Sequence, residues 1–226
     1  MFLIVESSIF AARKTRMNLF NRIIKFVFDR VMALLGLVVL ALPFAVIAIM
    51  VKIAMPDGPV IYRQIRVGKN GRLFKIHKFR TMREEEEISH IAYPNRARIT
   101  PLGAKLRRHK IDELPELWDV LVGHMSFVGP RPDVQGYADL LQGDDRVVLL
   151  MRPGITGPAT LKYRDEEHII ESYVKQVKAN GDPRTEDEIA QWYNDEVIYP
   201  DKVRINCEYY RNYSFFNDIK IILRTI

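Results

Sequence analysis

Asp112 and Glu113 are adjacent acids in a basic stretch of the chain. Arg107, Arg108 and Lys110 stand just before them, and Arg131 follows, held between Pro130 and Pro132. A carboxylate that attacks a phosphate must overcome like-charge repulsion, which calls for cations and a metal ion nearby. Ile111-Asp112-Glu113-Leu114-Pro115 predicts a helix start, with Asp112 at the N-cap and Pro115 in the first turn. Helix-start amides there favour an ionised carboxylate. Taken alone these five residues read first as an ordinary capped helix; the surrounding cations turn the reading toward phosphate chemistry. The two prolines limit how far Arg131 can swing, and its planar fork can bind two phosphate oxygens together. A structural pairing of Arg131 with a carboxylate is the alternative.

A second group of cations lies in Lys75-Ile76-His77-Lys78-Phe79-Arg80-Thr81, where strand alternation puts Lys78 and Arg80 on one face. Two neighbouring cations call for something anionic between them, a pyrophosphate or a carboxylate pair; charges guarding an exposed edge strand are the alternative. The sequence has no P-loop and no GxGxxG fingerprint, so phosphate binding rests on these cations. None of the five histidines has a zinc-like partner at short spacing, so no transition-metal site is expected.

The elements that must position these residues are short. Val60 to Val67 and Arg72 to Arg80 flank Gly68-Lys69-Asn70-Gly71 and predict a hairpin. Asp112 to Val122 predicts a helix closed by Gly123, and Met125 to Val128 a short strand ahead of the loop that carries Arg131. Glu84 to Glu87 reads as a solvated helix surface. Arg164 to Glu196 is polar and helix-prone, and Ile205 to Ile226 predicts a final amphipathic helix. The fold class is α+β: a small sheet with packed helices, an N-terminal membrane helix and amphipathic helices lying on the membrane.

Val31 to Val51, VMALLGLVVLALPFAVIAIMV, is a long run without a charge. At about 1.5 Å per residue it just reaches across a bilayer, and it is too long and too apolar for a secretory leader or a core helix. Pro43 sits inside it, and Arg and Lys residues flank both ends. Positive charge marks the cytoplasmic side, so a helix that enters, breaks at Leu42-Pro43 and returns is preferred over one that crosses. The expected organisation is an extension at 1–17, with Met17 as an alternative start, then a re-entrant helix at 18–55. A catalytic core at 56–164, a charged helical insert at 165–204 and an amphipathic helix at 205–226 complete it.

The net charge of +6 is unevenly spread: residues 1–132 carry +11 and residues 133–226 carry −5. A basic half beside an apolar run points to lipid headgroups or phosphorylated substrates. No nucleic-acid-binding motif gathers the basic residues on a recognition helix, so nucleic acid is not an expected partner. The single cysteine, Cys207, excludes an internal disulfide and suggests a reducing compartment.

Together these pieces resemble the bacterial sugar transferase family, the small monotopic phosphoglycosyl transferases. The resemblance runs from about Asn18 through the proline-broken apolar segment and YRQIRVGKNGRLFKIHKFRTM. It continues through LRRHKIDELPELWDVLVGHMSFVGPRP and MRPGITGPA, and ends in YYRNYSFFNDIKIILRT. It implies transfer of a sugar 1-phosphate from a UDP-sugar to polyprenyl (undecaprenyl) phosphate, with release of UMP. Asp112 would be the nucleophile of a covalent phosphosugar-aspartyl intermediate, and Glu113 would help hold Mg²⁺. Lys78, Arg80, Arg107 and Arg131 are the candidate substrate-binding cations, and Pro130 and Pro132 shape the loop that carries Arg131. The implied setting is the cytoplasmic face of the bacterial inner membrane, in the first membrane step of polysaccharide or glycoconjugate synthesis. Membrane lipids are then a further partner, and a homo-oligomer is left open. A catalytically inactive membrane-tethered scaffold is the rival reading. Two departures from the family stand out: Leu42-Pro43 in place of Ser-Pro, and the charged stretch opening at Lys162 to Glu167, expected to cover the sugar end of the site.

Overall fold

The computed structural model describes residues 17–83 and 98–225; the acidic run Glu84 to Glu87 and the extension before Met17 lie outside them. Helix α1 (Leu19–Val39) starts at Asn18, whose side chain accepts from the Asn21 amide. It meets α2 (Ala41–Ala54) at Leu40, with a bend of 64°. The break therefore falls two to three residues before its expected place, and Leu42 and Pro43 both belong to the first turn of α2. Proline lacks the donor, but the acceptor it orphans and crowds is four residues earlier, at Val39. The Leu40 amide still bonds Gly36 O at 2.9 Å and the Phe44 amide bonds Leu40 O at 2.8 Å. No single described helix is long and apolar enough to cross a membrane, although the bent pair passes that test together.

Both arms of the pair rest on the same body. Ala33 of α1 is fully buried against Ile76, Val120 and Met125, while Val51 and Met55 at the far end of α2 pack with Phe79 and Leu106. Leu35, Val38, Val39, Leu42, Val46, Ile49 and Ile53 around the bend face outward. Lys25 of α1 is buried and donates to Asp218 at 2.5 Å, and Asp29 accepts from the Phe127 amide.

The expected hairpin forms. Strands β1 (Ile61–Val67) and β2 (Leu73–Phe79) are antiparallel, with Tyr62 opposite Lys78, and the turn places Asn70 and Gly71 at positive φ. Helix α3 (Pro101–Arg108) is capped by Thr100, and Gly103 lets it lie on the backbone of Thr81, whose carbonyl oxygen a Cβ would approach to 2.0 Å. The helix expected over Asp112–Val122 is split. Ile111–Glu113 forms one 3-10 turn entered through Lys110 in the left-handed region, and α4 (Glu116–Val122) follows. Asp112 thus lies inside that turn and is not an N-cap: Pro115 has no amide for Ile111 O, so the α ladder starts after it. Gly123, at φ 93°, ends α4.

Strand β3 (Ser126–Val128) pairs in parallel with β4 (Gly154–Thr156), so two two-stranded sheets replace the single small sheet expected. Helix α5 (Pro158–Lys162) leads to α6 (Glu166–Ala179) and α7 (Glu186–Tyr193). These last two share a small core of their own, built on Ile170, Val174, Ile189, Ala190 and Ile198. A π turn at Asn194–Ile198 passes into α8 (Tyr199–Arg211), and α9 (Phe215–Thr225) follows. The boundary expected at 204 therefore falls in the middle of α8. The final helix is two helices, because Ser214 O turns back to accept from the Asn217 and Asp218 amides.

Candidate active site

The dyad turn is framed by β2, α3, α4 and the loop after β3. His77 fixes the strand: its amide donates to Asp119 Oδ2 at 2.9 Å and its Nδ1 lies 2.8 Å from Asp119 Oδ1. Asp119 is fully buried on α4, so this pair sets the register of β2 against that helix. The next residue, Lys78, points to the acids. Its Nζ donates to Glu113 Oε1 at 2.8 Å and lies 3.2 Å from Glu116 Oε1. Arg131 Nη2 donates to the same Glu113 oxygen at 2.5 Å.

The loop holding Arg131 is built on close backbone contact. Gly154 donates to Pro130 O at 2.7 Å, and Gly129 donates to Thr156 O at 2.9 Å. A Cβ on Gly154 would stand 2.1 Å from Gly129 N, so the strand pair beneath the loop admits no side chain there. Pro132 is buried and Arg131 is exposed. The arginine's stem is thereby held while its fork reaches the site.

The three acids are shifted in different directions because their surroundings differ. Burial pushes the Glu113 carboxyl up, but Arg131 and Lys78 outweigh it and hold it far below the ordinary range. Burial raises the Asp112 carboxyl, with Lys78, Arg107 and Lys110 opposing and Glu113 adding to the rise. Asp112 Oδ1 is buried and accepts no hydrogen bond. Glu116, which the sequence reading passed over, is 2 % exposed and its Oε1 also lacks a hydrogen-bond partner. Burial pushes its carboxyl up to about 7 despite Lys78. Its place three residues after Glu113, on the face shared at that helical spacing, was the signal available in the sequence.

Of the four candidate cations, Lys78 and Arg131 meet at Glu113. Arg107 Nη2 donates to Glu167 Oε1 of α6 at 2.8 Å, and its charge acts on Asp112. Arg80 is used elsewhere: it is buried just past β2 and donates to Met55 O at the end of α2, away from Lys78. The Arg80 amide still donates to Val60 O at 2.9 Å, so the backbone ladder runs on past Phe79; the guanidinium is engaged by Met55 O. The arrangement is a partly buried acid with a free oxygen, a fixed anionic neighbour and cations on three sides. It suits nucleophilic attack on phosphorus.

The chain is similar to several known bacterial proteins. The chain is 34% identical over 213 residues to UDP-glucose:undecaprenyl-phosphate glucose-1-phosphate transferase of Escherichia coli, covering 91% of this chain and 40% of that protein. It is 42% identical over 123 residues to a putative undecaprenyl-phosphate N-acetylgalactosaminyl 1-phosphate transferase of Bacillus subtilis, covering 54% and 68%. To the exopolysaccharide production protein ExoY of Rhizobium meliloti it is 32% identical over 216 residues, covering 88% and 82%. The chain thus spans less than half of the first relative and most of the other two. The family model for bacterial sugar transferases matches residues 20–226, the apolar helix pair, the dyad turn and the Arg131 loop together. By that match the chain belongs to the bacterial sugar transferase family.

Proposed function

We propose that this protein transfers a sugar 1-phosphate from a UDP-sugar to undecaprenyl phosphate, with Asp112 as the nucleophile. The observation that carries the reading is the buried Asp112 oxygen without a partner, beside a glutamate already neutralised by two cations. In the first step a carboxylate oxygen of Asp112 bonds to the sugar-bearing phosphorus and the bond from that phosphorus to the bridging oxygen breaks. UMP leaves with the electron pair. In the second step a phosphate oxygen of the polyprenyl carrier bonds to the same phosphorus, the aspartyl–phosphorus bond breaks and the carboxylate is restored. Lys78 and Arg131 stay in place through Glu113 and face the transferring phosphoryl oxygens, while Arg107 approaches from the α3 side. Splitting the transfer in two suits one water-soluble and one lipid substrate.

Mg²⁺ is the proposed metal: the described residues hold no cluster of three or more ligands, and Mg²⁺ takes one or two carboxylates and completes its shell with substrate phosphates and water. Glu113 would hold it beside Asp112, and it would neutralise charge on the diphosphate. Arg80 we assign to anchoring the end of α2. The α6–α7 insert is proposed to cover the sugar end, supported by its contact with Arg107.

The bent pair is proposed to be re-entrant, because both arms rest on one body. The ten residues Ala41 to Met50 rise about 15 Å, half of the ~30 Å hydrocarbon layer. A re-entrant pair with positively charged flanks at both ends supports the proposal that the dyad works on the cytoplasmic face, beside anionic lipids.

The test is UMP release from a panel of UDP-sugars by protein in nanodiscs with Mg²⁺, with and without undecaprenyl phosphate. The carrier-dependent release should fall about 10³-fold or more in Asp112→Asn while the fold is retained. A folded wild-type protein that releases UMP from no nucleotide sugar would hand the reading to a non-catalytic scaffold.

A further inference from the structure

Arg107 and Glu167 lie 60 residues apart, on α3 and on the first turn of α6, and are joined by one bond of 2.8 Å. The backbone ties Arg107 to the dyad turn: the Lys110 amide donates to Arg107 O at 3.0 Å, and the Glu113 amide to Lys110 O at 3.3 Å. Its side chain stands near the end of α3, which stops one residue later at Arg108, and is 26% exposed, with the bond to Glu167 holding it. An arginine side chain free to move contributes less to binding, because its rotamers must be frozen each time a ligand arrives.

Glu167 stands on a fixed base. Its neighbour Glu166 takes two bonds from Lys202 Nζ of α8, at 2.7 and 2.6 Å. Beside Lys202, Asp201 accepts from Lys162 Nζ at 2.6 Å and from the Tyr163 hydroxyl at 2.7 Å. The start of α6 is thus tied to α8, and α8 to α5, with the α6–α7 core behind. From this base Glu167 takes a single guanidinium nitrogen. Arginine presents five N–H donors in one plane, so most of the fork stays open to a phosphate.

We propose that Glu167 is a positioning residue that holds Arg107 ready for the diphosphate of the sugar nucleotide. The proposal rests on the transferase reading of the site. It makes the insert part of the phosphate-binding apparatus as well as a cover, and it makes Glu167 an anchor for the arginine and not a competitor for it.

Initial rates of UMP release, measured against the concentration of a UDP-sugar the wild-type enzyme uses, separate these roles. Glu167→Ala should raise KM about three- to tenfold with kcat changed less than about twofold. Glu167→Gln, which keeps an oxygen acceptor, should stay within about twofold of the wild type in both constants. Thermal unfolding of each variant is recorded in parallel; Glu167 has a side chain 38% exposed, and the midpoints should match. An unchanged KM in Glu167→Ala overturns the proposal, and so does a KM that falls in both variants, which would make the carboxylate a blocker. A lowered midpoint with KM unmoved would leave Glu167 structural only. If the wild-type enzyme itself releases no UMP, the transferase reading falls and this role with it; an active wild type with an indifferent Ala variant sinks the role of Glu167 alone.

Discussion

Lys78 serves two acids in opposite states. Glu113, bonded to Lys78 and Arg131, stays ionised, while Glu116 is more deeply buried and has only the longer contact of 3.2 Å to Lys78. The folded chain holds the Glu116 proton more tightly than the unfolded chain does, because burial raises its carboxyl from 4.5 to about 7. The stability this contributes is present below about pH 4.5 and is lost as pH rises toward 7. Glu116→Gln keeps the shape and cannot ionise, so its unfolding midpoint should match the wild type near pH 4.5. It should exceed the wild type above pH 7, by about 1–3 kcal/mol in stability. A variant less stable at pH 8 would mean that the ionised pair with Lys78 outweighs burial. At this scale charge and spacing singled out Asp112, Glu113, Lys78 and Arg131, and the fold brings Lys78 and Arg131 together on Glu113, beside Asp112. For Arg80, strand spacing carried no information on the bond its guanidinium makes to Met55 O.

Strands β3 and β4 are only three residues each, and they determine where Arg131 stands. Their junction depends on Gly129 and Gly154 touching through backbone alone. Gly154→Ala should therefore cost about 1–3 kcal/mol or more by overpacking and lower activity beyond its effect on stability, since the Pro130 carbonyl would be displaced. Urea unfolding read beside UMP release checks this; full activity in a folded Gly154→Ala protein would show that Arg131 does not depend on the junction. The hairpin, the strand before the loop and the polar helices were all legible from turn residues and apolar spacing. The split of the expected 112–122 helix was signalled by Pro115, whose missing amide rules out one helix through the dyad. The end of α8 and the start of α9 were hidden because Asn212 to Ser214 break the helix without glycine or proline.

On the scale of the whole molecule, the pairings that assemble the site come from residues far apart in the chain, such as Arg107 with Glu167 and His77 with Asp119. Local pattern carries no information on such pairings, and this is why Glu167 could not be read from the sequence. The two arms of the apolar pair were placed by charge alone, and that reading predicts a labelling pattern. With Cys207 replaced by alanine, single cysteines at the exposed positions Asn18 and Asp57 should both react with an impermeant maleimide in inverted membranes and in neither case from outside intact cells. Labels on opposite sides would mean a crossing helix. The buried pair of Lys25 and Asp218 has a consequence in time. Their closure spans 193 residues, so a ribosome making about 5–20 residues per second needs roughly 10–40 s after Lys25 to supply its partner. Through that interval the Lys25 charge has only Asp29, one turn along the same helix, to offset it, until Asp218, Tyr209 and Tyr213 arrive. The seat of α1 on the body is thus completed only when α9 folds, so interrupted chains remain marked by an exposed lysine.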